Sequence, residues 1–265
     1  MLALCIPFMD DAAGKYRPQL AQLLVRLASL PRGQRPNEVI VGVLERPGVS
    51  VEKTFEELAQ LGAWHERLDV KVTSAPATSW RPSVARNLAG RLAVELGARE
   101  LVFMDADCLP DREAFPTIRD VLRRGSAAIL NKFWCVSDDI GRACAVSDRA
   151  WDLLPDPPDS LNDQGKVVYA PGLILGVRAA DFVAIGGYDE LLQPGEDEDL
   201  VERLRRFGAE LVLYDRLAIH CGIPADYTFN PLYRRAQEII DARAAANVTR
   251  IDQRWGLGVV AEIAA

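Results

Sequence analysis

Over roughly its first 110 residues the chain alternates short apolar runs with longer amphipathic segments, and this alternation restricts the fold more than any other feature. Leu2 to Phe8 reads as a buried strand stopped by Pro7 and the acidic pair that follows. Val39 to Leu44 reads as a second strand, ending at Glu45. Leu68 to Val72 alternates like a third, and the run from Leu101 is a fourth. Between them, Gln19 to Leu30 places Leu20, Leu23, Leu24, Leu27 and Leu30 on one helical face. Ser50 is expected to cap a helix with Val51, Phe55 and Leu58 inward. Ser83 is expected to cap another, with Val84, Leu88, Leu92 and Leu96 in a stripe. Strand and helix in strict turn predict a largely parallel sheet with helices on both faces.

The second half is less regular. A helix is expected from Asp111 through Phe115, Ile118 and Leu122, then a strand from Ala127 to Leu130. The polar, proline-bearing stretch from Asp138 to Gly165 reads as a loop, and either it or the tail after Pro224 is expected to close over bound ligand. Val167 to Val177 holds one or two strands. Ala180 to Ile185 is a short helix closed by Gly186-Gly187, and Asp197 to Phe207 a helix ended by Gly208. Glu210 to Tyr214 and Leu217 to Cys221 are extended, and a charged helix follows Pro231. No linker divides the chain, so one domain is expected: residues 1–110 as a nucleotide half, 111–222 as a second half and 223–265 as a helical tail.

Composition excludes more than it identifies. A net charge of −7 argues against a general nucleic-acid binder, and no apolar run approaches the ~20 residues of a membrane span. Met1 to Pro7 carries no basic region of the kind that opens a signal peptide. The 5 cysteines include no Cys-x-x-Cys pair and read as free thiols in a reducing cytoplasm rather than as a zinc site.

The chemistry gathers around Leu101-Val102-Phe103-Met104-Asp105-Ala106-Asp107. If the two positions beyond the strand stay extended, Asp105 and Asp107 point the same way. Such a pair at a strand's carboxyl end suits a hard divalent cation shared with diphosphate oxygens. Arg81 and Arg86, in the helix start Arg81-Pro82-Ser83-Val84-Ala85-Arg86-Asn87, can hold phosphate. The four successive acids Glu196-Asp197-Glu198-Asp199 repel one another, which raises some of their pKa values as a catalytic base requires. His220, ending an apolar strand, is a third metal-ligand candidate. Glu45 can accept hydrogen bonds from a base or ribose.

In chain order these pieces resemble GT-A fold glycosyltransferases, most closely family 2. They are Leu2 to Pro7, Glu45, Ala85-Arg86-Asn87, Phe103 to Asp107, Gly186-Gly187-Tyr188-Asp189-Glu190, Glu196 to Leu200 with Arg203-Leu204, His220, Asn247 and Arg254-Trp255-Gly256. The resemblance implies an α/β, three-layer α/β/α fold with a mostly parallel mixed sheet. It implies transfer of a sugar from a nucleotide-diphosphate sugar (a UDP- or GDP-sugar) to an acceptor hydroxyl. Mn²⁺ or Mg²⁺ would be held by Asp105, Asp107 and His220, with Asp107 the direct ligand and Asp105 nearer the ribose and the metal's water. Donor contacts would come from Pro7, Glu45, Arg81, Arg86, Asp105 and Ala106. Asp197, with Glu196 and Asp199 as fallbacks and Asp199 rather the structural partner of a nearby arginine, would be the base of an inverting transfer. Where the family usually has Asp, this chain has Glu45. A homodimer is left open. A sugar-phosphate nucleotidyltransferase is the rival, but its Gly-rich basic loop is replaced here by the acidic Phe8 to Lys15. A non-catalytic nucleotide-sugar-binding protein of the same fold is the other alternative.

Overall fold

The structure, a computed structural model, describes every residue except 11–12, 15, 132–134, 137, 155–172, 193–195, 216 and 222–265. A seven-stranded sheet runs in the order β3-β2-β1-β4-β8-β6-β9. Its strands are β1 (Leu2–Phe8), β2 (Glu38–Glu45), β3 (Val70–Pro76), β4 (Glu100–Phe103), β6 (Ala127–Asn131), β8 (Leu175–Arg178) and β9 (Glu210–Tyr214). β8 pairs antiparallel with β4 and β6, and the other pairings are parallel. A second, three-stranded sheet joins β5 (Cys108–Pro110), β10 (Ala218–Cys221) and β7 (Cys135–Val136).

Period two sorts each central strand between two cores. Leu2, Leu4, Ile6 and Phe8 face one side with Val39, Val41, Val43 and Val102. Ala3, Cys5, Ile40, Leu101 and Phe103 face the other. The first core is closed by α1 (Arg17–Ser29), α2 (Val51–Gln60) and α4 (Ala114–Arg124). The second is closed by α3 (Pro82–Glu95), α7 (Ala179–Ala184) and α8 (Glu196–Phe207). Both faces are therefore buried, the three layers expected, and each fully buried Leu or Phe contributes about 1.5–3 kcal/mol. No helix among the described residues is long and apolar enough to cross a membrane.

Local chemistry moves several expected boundaries. Pro7 does not stop β1, whose ladder with β2 continues to Phe8 and Val43. Ser50 caps α2 as expected, accepting from the Lys53 amide at 3.2 Å. Ser83 does not cap α3; Pro82 opens that helix and the Ser83 hydroxyl lies buried in its first turn. The stripe against the sheet is not Val84, Leu88, Leu92 and Leu96 but Ala85, Ala89 and Ala93, with Arg86, Asn87 and Gly90 also buried. Gly42 explains this. A Cβ there would stand 2.0 Å from the Ala85 carbonyl oxygen, so the α3 backbone rests almost directly on β2 and only small residues fit between.

The stretch from Asp138 is not a loop at its start. It forms α5 (Asp138–Val146) and α6 (Asp148–Asp152), which bury Cys144, Ala145 and Trp151. Buried Arg26 of α1 fixes this pair. It donates to the Pro110 carbonyl at 3.0 Å and to Asp148 at 2.8 Å, with its guanidinium 5.1 Å from the Trp151 ring centre. The remainder of that stretch, the expected strand before Gly172, the helix after Pro231 and Arg254-Trp255-Gly256 lie outside the described residues.

Candidate active site

β2 and β4 lie on opposite sides of β1, so the chain's strand order reverses there. In such sheets a crevice opens beyond the carboxyl ends. Four expected site residues reach this edge directly: Glu45 at the end of β2, and Asp105, Ala106 and Asp107 just after β4. Pro7 is buried in β1, opposite Gly42.

Beyond Phe103 the chain does not stay extended. The Cys108 amide donates to the Asp105 carbonyl at 3.1 Å, closing a turn, and β5 follows at once. The turn gives the two aspartates different hydrogen-bond partners, although Asp105 still feels the charges of Asp107 and His220. Asp105 accepts from Arg86 at 2.7 Å. Asp107 lies 3.2 Å from His220 Nε2. The second sheet makes that meeting obligatory, because β5 and β10 pair antiparallel with Cys108 opposite His220, and the Cys221 amide donates to the Asp107 carbonyl at 2.8 Å. Asn131, fully buried, sets the start of β10: it accepts from the Leu217 amide at 2.6 Å and donates to the Ala218 carbonyl at 2.9 Å. Sequence reading missed Asn131. Its only local signal is a polar residue at the end of the apolar run from Ala127.

Arg86 is the hub of the other half. It is 3% exposed, and it donates to Glu196 at 3.0 Å and stands 3.0 Å from Asp197 while holding Asp105. One buried guanidinium thus ties the turn after β4 to the first turn of α8. Three of its contacts go to carboxylates, from Nη1 to Glu196 and Asp197 and from Nη2 to Asp105. Asn87, also buried, donates to the Tyr188 carbonyl and accepts from its amide, both at 2.9 Å, fixing the turn before α8. Gly187 in that turn has φ +69°, and a Cβ would stand 2.6 Å from Asn87 Oδ1, so glycine is required there. Asp199 pairs with Arg203 at 2.6 Å and is a structural residue, while Arg203 also holds the Gly187 carbonyl.

The two stations treat protons oppositely. Burial lifts the Asp197 carboxyl to about 8, the neighbouring charges of Glu196, Asp105 and Glu198 adding to the rise and Arg86 opposing it. Burial also raises Glu198 and Asp105. At Asp107 desolvation acts upward as well, but the hydrogen bond and charge of His220 outweigh it and hold the carboxyl below its usual range. Burial would lower His220, yet Asp107 and then Asp105 raise it.

A cavity of about 610 Å³ opens at the ends of β2 and β3, lined by Leu44 to Val49, Pro76 to Ser79, Arg81 and Val84. Glu45 enters it and accepts from Ser74. Arg81 stands on its rim and donates to the Glu190 carbonyl, joining the cavity to the segment that leads into α8. Arg86 links Asp105, two residues before the Asp107–His220 pair, to Asp197, and Arg81 links the cavity to the segment that leads into α8.

Among the described residues, Asp107, Cys108 and His220 form the group able to gather ligand atoms about one ion, within 4.8 Å of one another. Asp105 is not in that group. A carboxylate, an imidazole and a thiol suit a divalent cation.

No protein-family model matches the chain, and no curated protein matches its sequence. Solved structures do. S. aureus TarS 1-349 matches with a TM-score of 0.56 and 16% identity over 86% of this chain and 61% of that one. The same protein in complex with UDP matches at 15% identity, TM-score 0.56, over 86% and 62%. The mannosyltransferase PcManGT from Pyrobaculum calidifontis, in complex with GDP-Man and Mn²⁺, matches at 17% identity, TM-score 0.56, over 94% of this chain and 64% of that one. The chain spans less than two thirds of the length of each. The likeness shows the fold, the GT-A-like α/β fold of glycosyltransferase structures.

Proposed function

We propose that the chain is a metal-dependent glycosyltransferase that moves a sugar from a nucleotide-diphosphate donor to an acceptor hydroxyl, with inversion. The observation that carries this reading is a pair of carboxylates pushed apart in proton affinity, Asp107 downward and Asp197 up to about 8, with Arg86 tying Asp197 to the turn that carries Asp107. Such divergence separates an anion kept charged from a group suited to take a proton. The neighbour holding GDP-Man and Mn²⁺ and the one holding UDP support the ligand class.

In this reading Glu45 and the cavity around it receive the donor base and ribose. Asp107 and His220 hold Mn²⁺ or Mg²⁺, and Asp105, fixed by Arg86, lies toward the ribose and the ion's water. When bound, the ion offsets the charge that grows on the diphosphate as the sugar–phosphate bond breaks. Arg81, on the cavity rim, and Arg86 are the arginines placed to meet phosphate. Asp197 takes the acceptor proton, and its raised pKa makes it a stronger base than an ordinary carboxylate. Arg86 keeps the two stations in one geometry, and Glu196 shares that guanidinium. Residues 1–110 serve as the donor half, 111–222 as the acceptor half and 223–265 as a tail, and the buried free thiols fit a cytoplasmic setting.

Thermal melting tests the reading. UDP, GDP and ADP are each added with Mn²⁺, with Mn²⁺ in excess chelator, and alone. Ligand at about 100 times its Kd stabilises by about 2.7 kcal/mol, a shift of about 5 °C for a chain of this size. One nucleoside diphosphate is expected to give that shift only with the metal present. No shift with any nucleotide would remove the reading.

A further inference from the structure

We infer that Cys108 is a third protein ligand of the ion held by Asp107 and His220, so that this site takes borderline-soft divalent ions of the Zn²⁺, Co²⁺ and Cd²⁺ class in addition to Mn²⁺. The inference rests on the reading of Asp107 and His220 as an ion-binding pair. The cysteine spacing gives no hint of it, because the ligands come from the turn after β4 and from a strand more than a hundred residues on. The fold, not the local motif, brings them together.

Three observations place the thiol. Cys108 is the cross-strand partner of His220, so their side chains stand on one face of the β5–β10 ladder, where directly opposed Cβ atoms lie about 4.5–5.5 Å apart. Its Sγ is 3.7 Å from Asp107 Oδ1, and His220 Nε2 is 3.2 Å from Asp107 Oδ2. Around a tetrahedral ion with bonds of about 2.0 Å to nitrogen or oxygen and 2.3 Å to sulfur, neighbouring N and O atoms lie about 3.3 Å apart and S and O about 3.5 Å. The two separations, one to each oxygen of the Asp107 carboxylate, are close to such edges, and the three ligand atoms lie within 4.8 Å of one another, so a small inward movement would bring them about one ion. Finally, Cys108 is 0% exposed, which shields its sulfur from solvent.

The chemical consequence is selectivity. An all-oxygen site with one imidazole favours Mn²⁺ or Mg²⁺, whereas a thiolate adds affinity for Zn²⁺, Co²⁺ and Cd²⁺ and little for Mn²⁺. The thiol gives its proton to solvent as the metal–sulfur bond forms. The ladder continues to Cys135, the register partner of His220 in β7, so Cys135 is the cysteine against which the assignment to Cys108 must be checked.

Cobalt makes the test, because sulfur bonded to Co²⁺ gives a near-ultraviolet charge-transfer band that oxygen and nitrogen ligands do not. Co²⁺ is titrated into the full chain, into Cys108→Ser and Cys108→Ala, and into Cys135→Ser, with circular dichroism confirming that each variant is folded. The wild-type chain and Cys135→Ser are expected to show the band at one equivalent. Both Cys108 variants are expected to lose it while retaining the visible d–d bands, with Co²⁺ affinity lowered at least about tenfold, since loss of a direct ligand should cost no less than loss of a supporting residue. Their Mn²⁺ affinity, measured in parallel, should change far less. Wild-type d–d bands without the charge-transfer band would overturn the inference and leave the Asp107–His220 site standing. Persistence of the band in both Cys108 variants, or its loss in Cys135→Ser, would overturn it equally. No Co²⁺ binding at all would overturn both the inference and the ion site beneath it. If the Cys108 variants do not fold, the wild-type spectrum still decides.

Discussion

Replacing Asp107 with alanine is expected to abolish metal-dependent nucleotide binding while the protein stays folded. The Asp107 side chain is 40% exposed, and its backbone, not its carboxylate, anchors β10 through the Cys221 amide. Little packing is lost, because the carboxylate of Asp107 is half-exposed and its side-chain partners among the described residues are His220 and the Cys108 thiol. The binding effect is much larger. Supporting residues around a metal typically matter about 10–100-fold, so removing a direct ligand should exceed 10²-fold. Titration calorimetry of UDP and GDP with Mn²⁺ measures this. The variant should also alter the pH dependence of stability. The depressed pKa of Asp107 gives stability that is present above the unfolded carboxylate value and lost as pH falls through the folded one. The raised pKa of His220 gives stability that is present below about 6.5 and lost as pH rises through its folded value. Without Asp107, both contributions shrink. Nucleotide binding that keeps its full metal dependence in the variant would reject Asp107 as the ion's ligand.

The second large effect is on rate. Asp197→Asn is expected to bind metal and donor nearly as the wild type does, yet to turn over about 10²–10⁴ times more slowly, the usual loss for a general base. The wild-type rate should rise with pH toward about 8 as the carboxyl gives up its proton. Stability moves the other way. A carboxyl raised in the folded state stabilises fully below its unfolded value of about 3.9, and that stability is lost as pH rises toward about 8. The asparagine variant is therefore expected to gain melting temperature over the wild type between pH 5 and pH 8.5. Glu196→Gln is the control, because Glu196 is 7% exposed and bonded to Arg86, and its change should cost stability more than rate. The anomeric centre of the product gives an independent reading. Retained configuration would rule out a single displacement and take the role from Asp197.

Much of the architecture of the first half was readable because it obeys local rules. β1, β2 and β4 are buried on both faces and so appear as unbroken apolar runs. Gly186, Gly187 and Gly208 stop their helices with φ of +81°, +69° and +101°, conformations that glycine adopts freely. The pairing of Asp199 with an arginine one turn on was also legible, since helical spacing fixes it. What escaped depends on distant partners. The buried face of α3 was misjudged because its larger apolar residues form a clear stripe, whereas the selecting residue, Gly42, lies on β2. Helices α5 and α6 were hidden by polar composition, and only Arg26 of α1 and the buried Trp151 explain why that stretch is ordered. Asp105 and Asp107 read as a convergent pair in sequence. Arg86 and His220, reached through tertiary structure, give each of them its own partner. The same distance kept Cys108 out of any recognisable ligand spacing.

The most direct measurement of the central claim is the product formed from the donor alone. UDP- and GDP-sugars are incubated with the protein and Mn²⁺, water serving as a slow acceptor, and the nucleotides are separated by anion-exchange chromatography. Release of a nucleoside diphosphate that stops in excess chelator and is absent in Asp107→Ala is the expected result. Release undiminished by chelator, or formation of a nucleoside triphosphate when pyrophosphate is supplied, would contradict it.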